Sequence, residues 1–279
     1  MASPALQPIR TISILGCGWL GFPLAQALVA EGYTVKGSTT SPNKIGSLEE
    51  AGIQPFLLSV KEEVEAAEKA DFFDADLLFL NIPPGGRRDP QVEDTYPQKI
   101  KAVLNELHQS PVRYLLFCSS TGVYGSNNDW VDENSPLAGE TASGRALEVI
   151  ERFLALQQHP IISVLRLAGL VGGNRKPGRF LAGKKDLPNG EAPVNLVHRE
   201  DCIGIILELI RQGAWGETFN VVADEHPTRA AFYTVQAEKL GLEPPTFVGN
   251  KQLSYKLVSN DKVKRVLKYR FRYPDPKGF

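Results

Sequence analysis

Three glycines, Gly16, Gly18 and Gly21, stand at GxGxxG spacing in TISILGCGWLGFPL, after an apolar run and before a helical pattern. That spacing serves phosphate chemistry. The first glycine permits a tight strand-to-helix turn, the second lets backbone approach a pyrophosphate, and the third lets the helix pack closely on the sheet. A helix over Trp19 to Ala30 would turn its unpaired amides and the positive end of its dipole toward the phosphate. The candidate coenzyme contacts here are Gly16, Gly18, Trp19, Leu20 and Gly21.

The end of the second expected strand sets which dinucleotide is preferred, because an acid there bonds the ribose hydroxyls of NAD and repels a 2′-phosphate. This chain has VKGSTTSPNK, with no acid from Val35 to Lys44. Thr39, Thr40 and Ser41 offer hydroxyl donors and Lys44 a positive charge, which suit the 2′-phosphate of NADP better than NAD. Ser41 followed by Pro42 is also a helix start.

The elements that would hold these residues alternate. Short β-rich runs are expected as strands at Ile12 to Leu15, Thr34 to Ser38, Gln54 to Val60, Leu77 to Asn81, Tyr114 to Cys118, Ile161 to Leu165 and Thr218 to Val221. Between them, Val92, Tyr96, Ile100, Val103, Leu104 and Leu107 recur at helical spacing, as do Leu147, Ile150, Phe153 and Leu154. The pattern is that of βαβ units: an α/β, doubly wound, parallel Rossmann sheet with helices on both faces. Near Gly172 the chain turns rich in Gly, Pro and Lys. The expected organisation is a dinucleotide-binding domain over 1–171, its sheet completed by parts of 194–225, and a smaller C-terminal substrate lobe over 172–279.

Composition narrows the class. The 279 residues are 42% hydrophobic and carry 31 Lys and Arg against 32 Asp and Glu, so no global field recommends nucleic acid or a membrane surface. A small-molecule substrate is the expected partner. Cys17, Cys118 and Cys202 are scattered, without metal-ligand spacing, and are expected as reduced, buried thiols. MASPALQPIR lacks the apolar core of a leader, and no run approaches the roughly 18 apolar residues of a membrane span. A cytoplasmic location is the resulting expectation.

Further segments carry a resemblance. LLFLNIPPGG (Leu77 to Gly86) ends a strand in Asn81, Ile82 and Pro83, irregular backbone at the sheet edge where doubly wound folds bind ligands. Next come LLFCSSTGVYG, WVDENSPL, VLRLAGLVG, VNLVHREDCIGII, GETFNVVADEHPT and the tail VSNDKVKRVLKYRFRYP. Together with the glycine motif these resemble, over nearly the whole chain, the extended, atypical branch of the short-chain dehydrogenase/reductase family, the epimerase/dehydratase-like proteins. The resemblance implies NADP or NAD, an oxidoreductase or epimerase acting on a small polar or nucleotide-sugar-like substrate, and a monomer or a homodimer through helices at 92–107 and 139–157.

In that family a Tyr acts as acid and base, a Lys four residues later lowers its pKa, and a Ser bonds the reacting oxygen of the substrate. The position matching the Ser is Ser120. At the YxxxK positions this chain has Ser143 and Leu147, so the dyad is replaced. Tyr124 and Arg145 are the candidate substitutes, the first as a phenol beside Ser120 and the second as a fixed fork of donors. Loss of the dyad admits a second reading, an NADP-binding sensor without turnover. His198 and Asp201 are read as framing a helix start, and Arg87, Arg88, Lys184 and Lys185 as solvated loop charges.

Overall fold

A computed structural model describes residues 8–86, 88–249 and 253–279. Seven strands form the central parallel sheet: β1 (Thr11–Leu15), β2 (Thr34–Thr39), β3 (Gln54–Leu57), β4 (Leu77–Leu80), β5 (Tyr114–Ser120), β6 (Ile161–Leu167) and β7 (Thr218–Val221). Their order is β7-β6-β5-β4-β1-β2-β3. β1 pairs in parallel with both β2 and β4, so chain order reverses at β1. That reversal is where an open α/β sheet forms a crevice beyond its carboxyl ends.

The principal helices are α1 (Gly21–Ala30), α2 (Val92–Leu107), α3 (Ala142–Leu154), α4 (Arg199–Gln212), α5 (Arg229–Glu238) and α6 (Asp261–Leu267). β4 is buried at every position, as a strand covered on both faces must be. α2 buries Val92, Tyr96, Ile100, Val103, Leu104 and Leu107, the stripe expected from their spacing. Lys36 on β2 is buried as well, and its ammonium donates to the carbonyls of Asp71 and Asp74 at 2.5 and 2.7 Å. These carbonyls satisfy the charge without a carboxylate.

The chain divides into two compact units. One runs to Cys118 and takes in Val149–Val164; the other comprises Ser119–Glu148 and Leu165–Phe279.

Several boundaries differ from expectation. α1 starts at Gly21 rather than Trp19, because Gly18 N–H donates to the Gly16 carbonyl in a tight turn at 2.8 Å before helical bonding begins. The strand expected over Gln54 to Val60 stops at Leu57; Ser59–Val60 instead pairs antiparallel with Val64–Glu65, and Lys61 bridges to Glu65 at 3.0 Å. β5 and β6 run two residues further than expected. Cys17 and Cys202 are buried, whereas Cys118 is only half-buried. Among the loop charges, Arg87 lies outside the described residues, Arg88 is exposed, and Lys185 pairs with Glu243 at 2.5 Å. No helix among the described residues is long and apolar enough to cross a membrane.

Candidate functional site

In the first unit, the carboxyl ends of β1, β2 and β4 open on a cavity of about 350 Å³. Nine of the twelve candidate coenzyme residues line it: Gly16, Gly18, Thr39, Thr40, Ser41, Lys44, Asn81, Ile82 and Pro83. The turn is built by short-range necessity. Gly16 has φ +109°, and a Cβ there would stand 2.8 Å from the Asn81 carbonyl oxygen. Ser38 Oγ accepts from Gly16 N–H at 2.9 Å, and Asn81 Nδ2 donates to the Gly16 carbonyl at 3.2 Å, so β2 and β4 together hold the loop.

The remaining two glycines have different duties. A Cβ on Gly21 would meet the Gly16 carbonyl oxygen at 2.2 Å, so this glycine serves the contact of α1 with the turn. A Cβ on Gly18 would meet nothing within 4 Å; here the absent side chain leaves open space. Trp19, Leu20 and Gly21 lead into α1 and are not among the described lining residues. Leu20 is 3% exposed, so its side chain is core and only its main chain is available to a ligand.

The lining contains no carboxylate among the described residues and two ammonium groups, Lys44 and Lys99. Thr39 Oγ1 accepts from Ser41 N–H at 3.1 Å and fixes the hydroxyl-bearing bend. Ser41 occupies the cap position of the short helix Pro42–Lys44, as its sequence suggests, although its side chain makes no capping bond. The arrangement suits an anion whose phosphates need backbone, hydroxyl and ammonium donors. Sequence reasoning missed Lys99. The available signal was Tyr96, one helical turn earlier on α2, whose hydroxyl donates to the Ile82 carbonyl at 3.0 Å and brings that edge of the helix to the loop.

The candidate chemical residues lie in the second unit. Ser120 ends β5, and its Oγ accepts from Gly122 N–H at 3.0 Å, a local cap that leaves the hydroxyl proton for donation. The start of α3 packs on this turn: a Cβ on Gly144 would stand 2.4 Å from the Gly122 carbonyl oxygen. Ser143, half-buried, is thereby brought to the same turn. Leu147 is buried at 3% exposure. Arg145 is exposed, and its Nη1 donates to the Glu140 carbonyl at 2.9 Å.

Tyr124, the candidate acid or base, is engaged in a buried network. It is fully buried, donates its hydroxyl proton to Asn220 Oδ1 at 2.8 Å, and accepts from Arg166 Nη1 at 2.6 Å. Burial pushes its pKa up to about 12, against the opposing pull of the Arg166 guanidinium. The phenol therefore stays protonated at neutral pH and serves a buried network. Tyr124→Phe is expected to lower stability by about 1–3 kcal/mol in urea denaturation, because Arg166 and Asn220 each lose a buried partner, and to leave coenzyme affinity unchanged.

His198 and Asp201 frame the start of α4. His198 caps α4, its Nδ1 accepting from Glu200 N–H at 3.3 Å, and Asp201 is wholly buried.

These features define a Rossmann-like α/β protein with the fold of the NAD-dependent epimerase/dehydratase and short-chain dehydrogenase/reductase proteins. The chain is 37% identical over 271 residues to protein YeeZ of Escherichia coli (strain K12), covering 96% of this chain and 98% of that one; it belongs to the YeeZ family. Among solved structures, a functionally unknown conserved protein from Silicibacter pomeroyi DSS superposes with TM-score 0.77 at 24% identity, covering 97% of this chain and 96% of that one. UDP-glucose-4-epimerase from Stenotrophomonas maltophila, with bound NAD and formylated UDP-arabinopyranose, gives TM-score 0.77 at 16% identity, covering 96% and 95%. No family model matches the chain.

Proposed function

We propose that the chain binds NADP(H) in the cavity at the ends of β1, β2 and β4, and acts as an oxidoreductase or epimerase on a small polar or nucleotide-sugar-like substrate. The observation that carries this reading is the convergence on one cavity of the open Gly18 position, the Thr39–Ser41 hydroxyls and two lysines, with no carboxylate among its described lining residues. The Gly16–Gly21 turn would hold the pyrophosphate, and Lys44 with Thr39, Thr40 and Ser41 the 2′-phosphate. Bound coenzyme would supply or accept a hydride. Ser120 would position the reacting oxygen of the substrate and Arg145 would offer donors to its polar end. On the family resemblance the dyad positions hold Ser143 and Leu147, and bound water would take over proton transfer.

A sensor without turnover is the second reading, favoured by the buried Leu147 and by the engagement of Tyr124 in its own network. Turnover assays across carbonyl and nucleotide-sugar substrates separate the two. Calorimetry is expected to show NADPH binding about tenfold or more tighter than NADH, and Lys44→Glu is expected to abolish that preference, since it sets a carboxylate against the 2′-phosphate. Equal affinity for both coenzymes in the wild type would refute the assignment of NADP.

A further inference from the structure

Gln236 on α5 is only 5% exposed, and its amide is engaged on one side alone. Nε2 donates to the main-chain oxygens of Pro276, Lys277 and Phe279, each at 3.3 Å, which fixes which end of the amide is nitrogen. Oε1 has no hydrogen-bond partner among the described residues, and it is not sealed inside the protein, so it reaches open space. That space is a cavity of about 250 Å³ which Gln236 lines, formed wholly within the second unit and apart from every residue assigned above to coenzyme or substrate. Buried polar side chains are normally satisfied, and an exception calls for a cause.

The facing wall is made of donors. A Cβ on Gly178 would stand 2.1 Å from the Gln236 carbonyl oxygen, so the loop that carries Gly172, Arg175 and Lys176 is held against α5. Arg175 and Lys176 line the cavity from that loop, and Lys176 pairs with no carboxylate among the described residues. His198 lines it as well. Its Nδ1 accepts from Glu200 N–H, so the neutral ring carries its proton on Nε2. Burial holds the imidazole pKa below its ordinary value, which keeps that tautomer at pH 7. Nε2 is unpartnered among the described residues and also reaches open space; it lies toward the lining residue Gly172, where a Cβ would stand 2.5 Å from it. The carboxylates beside His198 on α4 are engaged, Glu200 with Arg199 at 3.0 Å and Asp201 with the Tyr269 hydroxyl at 2.9 Å. Lys239, the third cation of the lining, is committed to the main-chain oxygens of Lys277 and Phe279 at 2.6 and 3.1 Å. With Lys239 set aside, Arg175 and Lys176 leave two positive charges, and no side-chain carboxylate is among the described lining residues.

We propose that this cavity binds a small phosphorylated polyol, such as a sugar phosphate or a glycerol phosphate. Its phosphoryl group would accept from His198 Nε2–H and meet the charges of Arg175 and Lys176, and one of its hydroxyls would complete Gln236 Oε1. Either half alone leaves something unmet. An anion without a hydroxyl leaves Oε1 unpaired, and a neutral polyol leaves the two positive charges uncompensated. The inference is independent of the coenzyme assignment, because the two cavities share no residue.

The test is calorimetric titration of the full chain with glycerol 3-phosphate at fixed ionic strength and at about pH 8, well above the second pKa of roughly 6 of a phosphomonoester. Ethyl phosphate, a dianion without a hydroxyl, and glycerol, a polyol without charge, are the comparison probes. Saturable one-site binding of glycerol 3-phosphate is expected, weakened about tenfold or more by Lys176→Glu, which sets a carboxylate against the phosphoryl group. That variant also assigns the heat to this cavity, since the Gly16–Gly21 turn lies elsewhere and its NADPH affinity should not change. Gln236→Met, which removes the accepting oxygen, is expected to weaken binding similarly; Lys176→Glu, at an exposed position, supplies the reading should Gln236→Met fail to fold by circular dichroism. Ethyl phosphate should bind about tenfold more weakly than glycerol 3-phosphate, and glycerol should give no saturable heat. The proposal is overturned by folded wild type that does not bind glycerol 3-phosphate, by either folded variant binding it unchanged, or by ethyl phosphate or glycerol binding as well as glycerol 3-phosphate does.

Discussion

Gly18→Val is expected to fold as the wild type does and to bind NADPH at least about 100-fold more weakly, a loss of roughly 2.7 kcal/mol. The reason is geometric. Gly18 lines the cavity, its φ lies outside the region reserved for glycine, and a Cβ placed there meets no protein atom within 4 Å. An added side chain therefore costs the fold little and occupies the space that a pyrophosphate needs. Gly21→Ala is the matched control with the opposite profile: its Cβ would lie 2.2 Å from the Gly16 carbonyl oxygen, and displacing α1 is expected to cost about 3 kcal/mol or more of stability. Urea denaturation and calorimetry on both variants check the pair. A folded Gly18→Val protein with wild-type NADPH affinity would show that the coenzyme does not lie on this turn.

That contrast also marks what the sequence could carry. The glycine spacing, the strand following each helical stripe and the acid-free stretch from Val35 to Lys44 are local patterns, and nine of the twelve residues drawn from them meet in one cavity. Local patterns succeed where chemistry and backbone geometry are set by near neighbours. They fail for contacts made across the sheet. Nothing around Tyr124 announces that Arg166, 42 residues on, and Asn220, 96 residues on, will enclose its hydroxyl. Lys99 was invisible for a related reason: on α2 it interrupts no apolar stripe and belongs to no motif, and only the bond from Tyr96 to Ile82 shows which edge of the helix meets the loop. Another cavity joins Trp130, Asp224, His226 and Lys264 from three segments far apart in the chain, and nothing within any one of them announces the other two.

Asp201→Ala is expected to destabilise the protein by about 3–5 kcal/mol while leaving NADPH affinity unchanged in the folded fraction. Asp201 lies in the first turn of α4, wholly buried, and its carboxylate accepts from three donors of the C-terminal segment: Tyr269 Oη at 2.9 Å, Arg272 N–H at 2.7 Å and Tyr273 N–H at 3.1 Å. Burial, with the Asp201 charge beside it, raises the Tyr269 pKa, so the phenol proton stays in place to make its bond. The neighbourhood is shaped for this contact, since a Cβ on Gly204 would meet the Tyr269 hydroxyl oxygen at 2.4 Å. Removing the carboxylate orphans all three donors together. Asp201→Asn, which keeps one accepting oxygen but turns an amide NH2 toward donors, is expected to lose about half as much. Urea denaturation of the two variants should place them in that order. If instead Asp201→Ala unfolds at the wild-type urea concentration yet abolishes turnover on a substrate the wild type converts, the His198–Asp201 pair is chemical machinery and the clasp on the C-terminal segment is incidental.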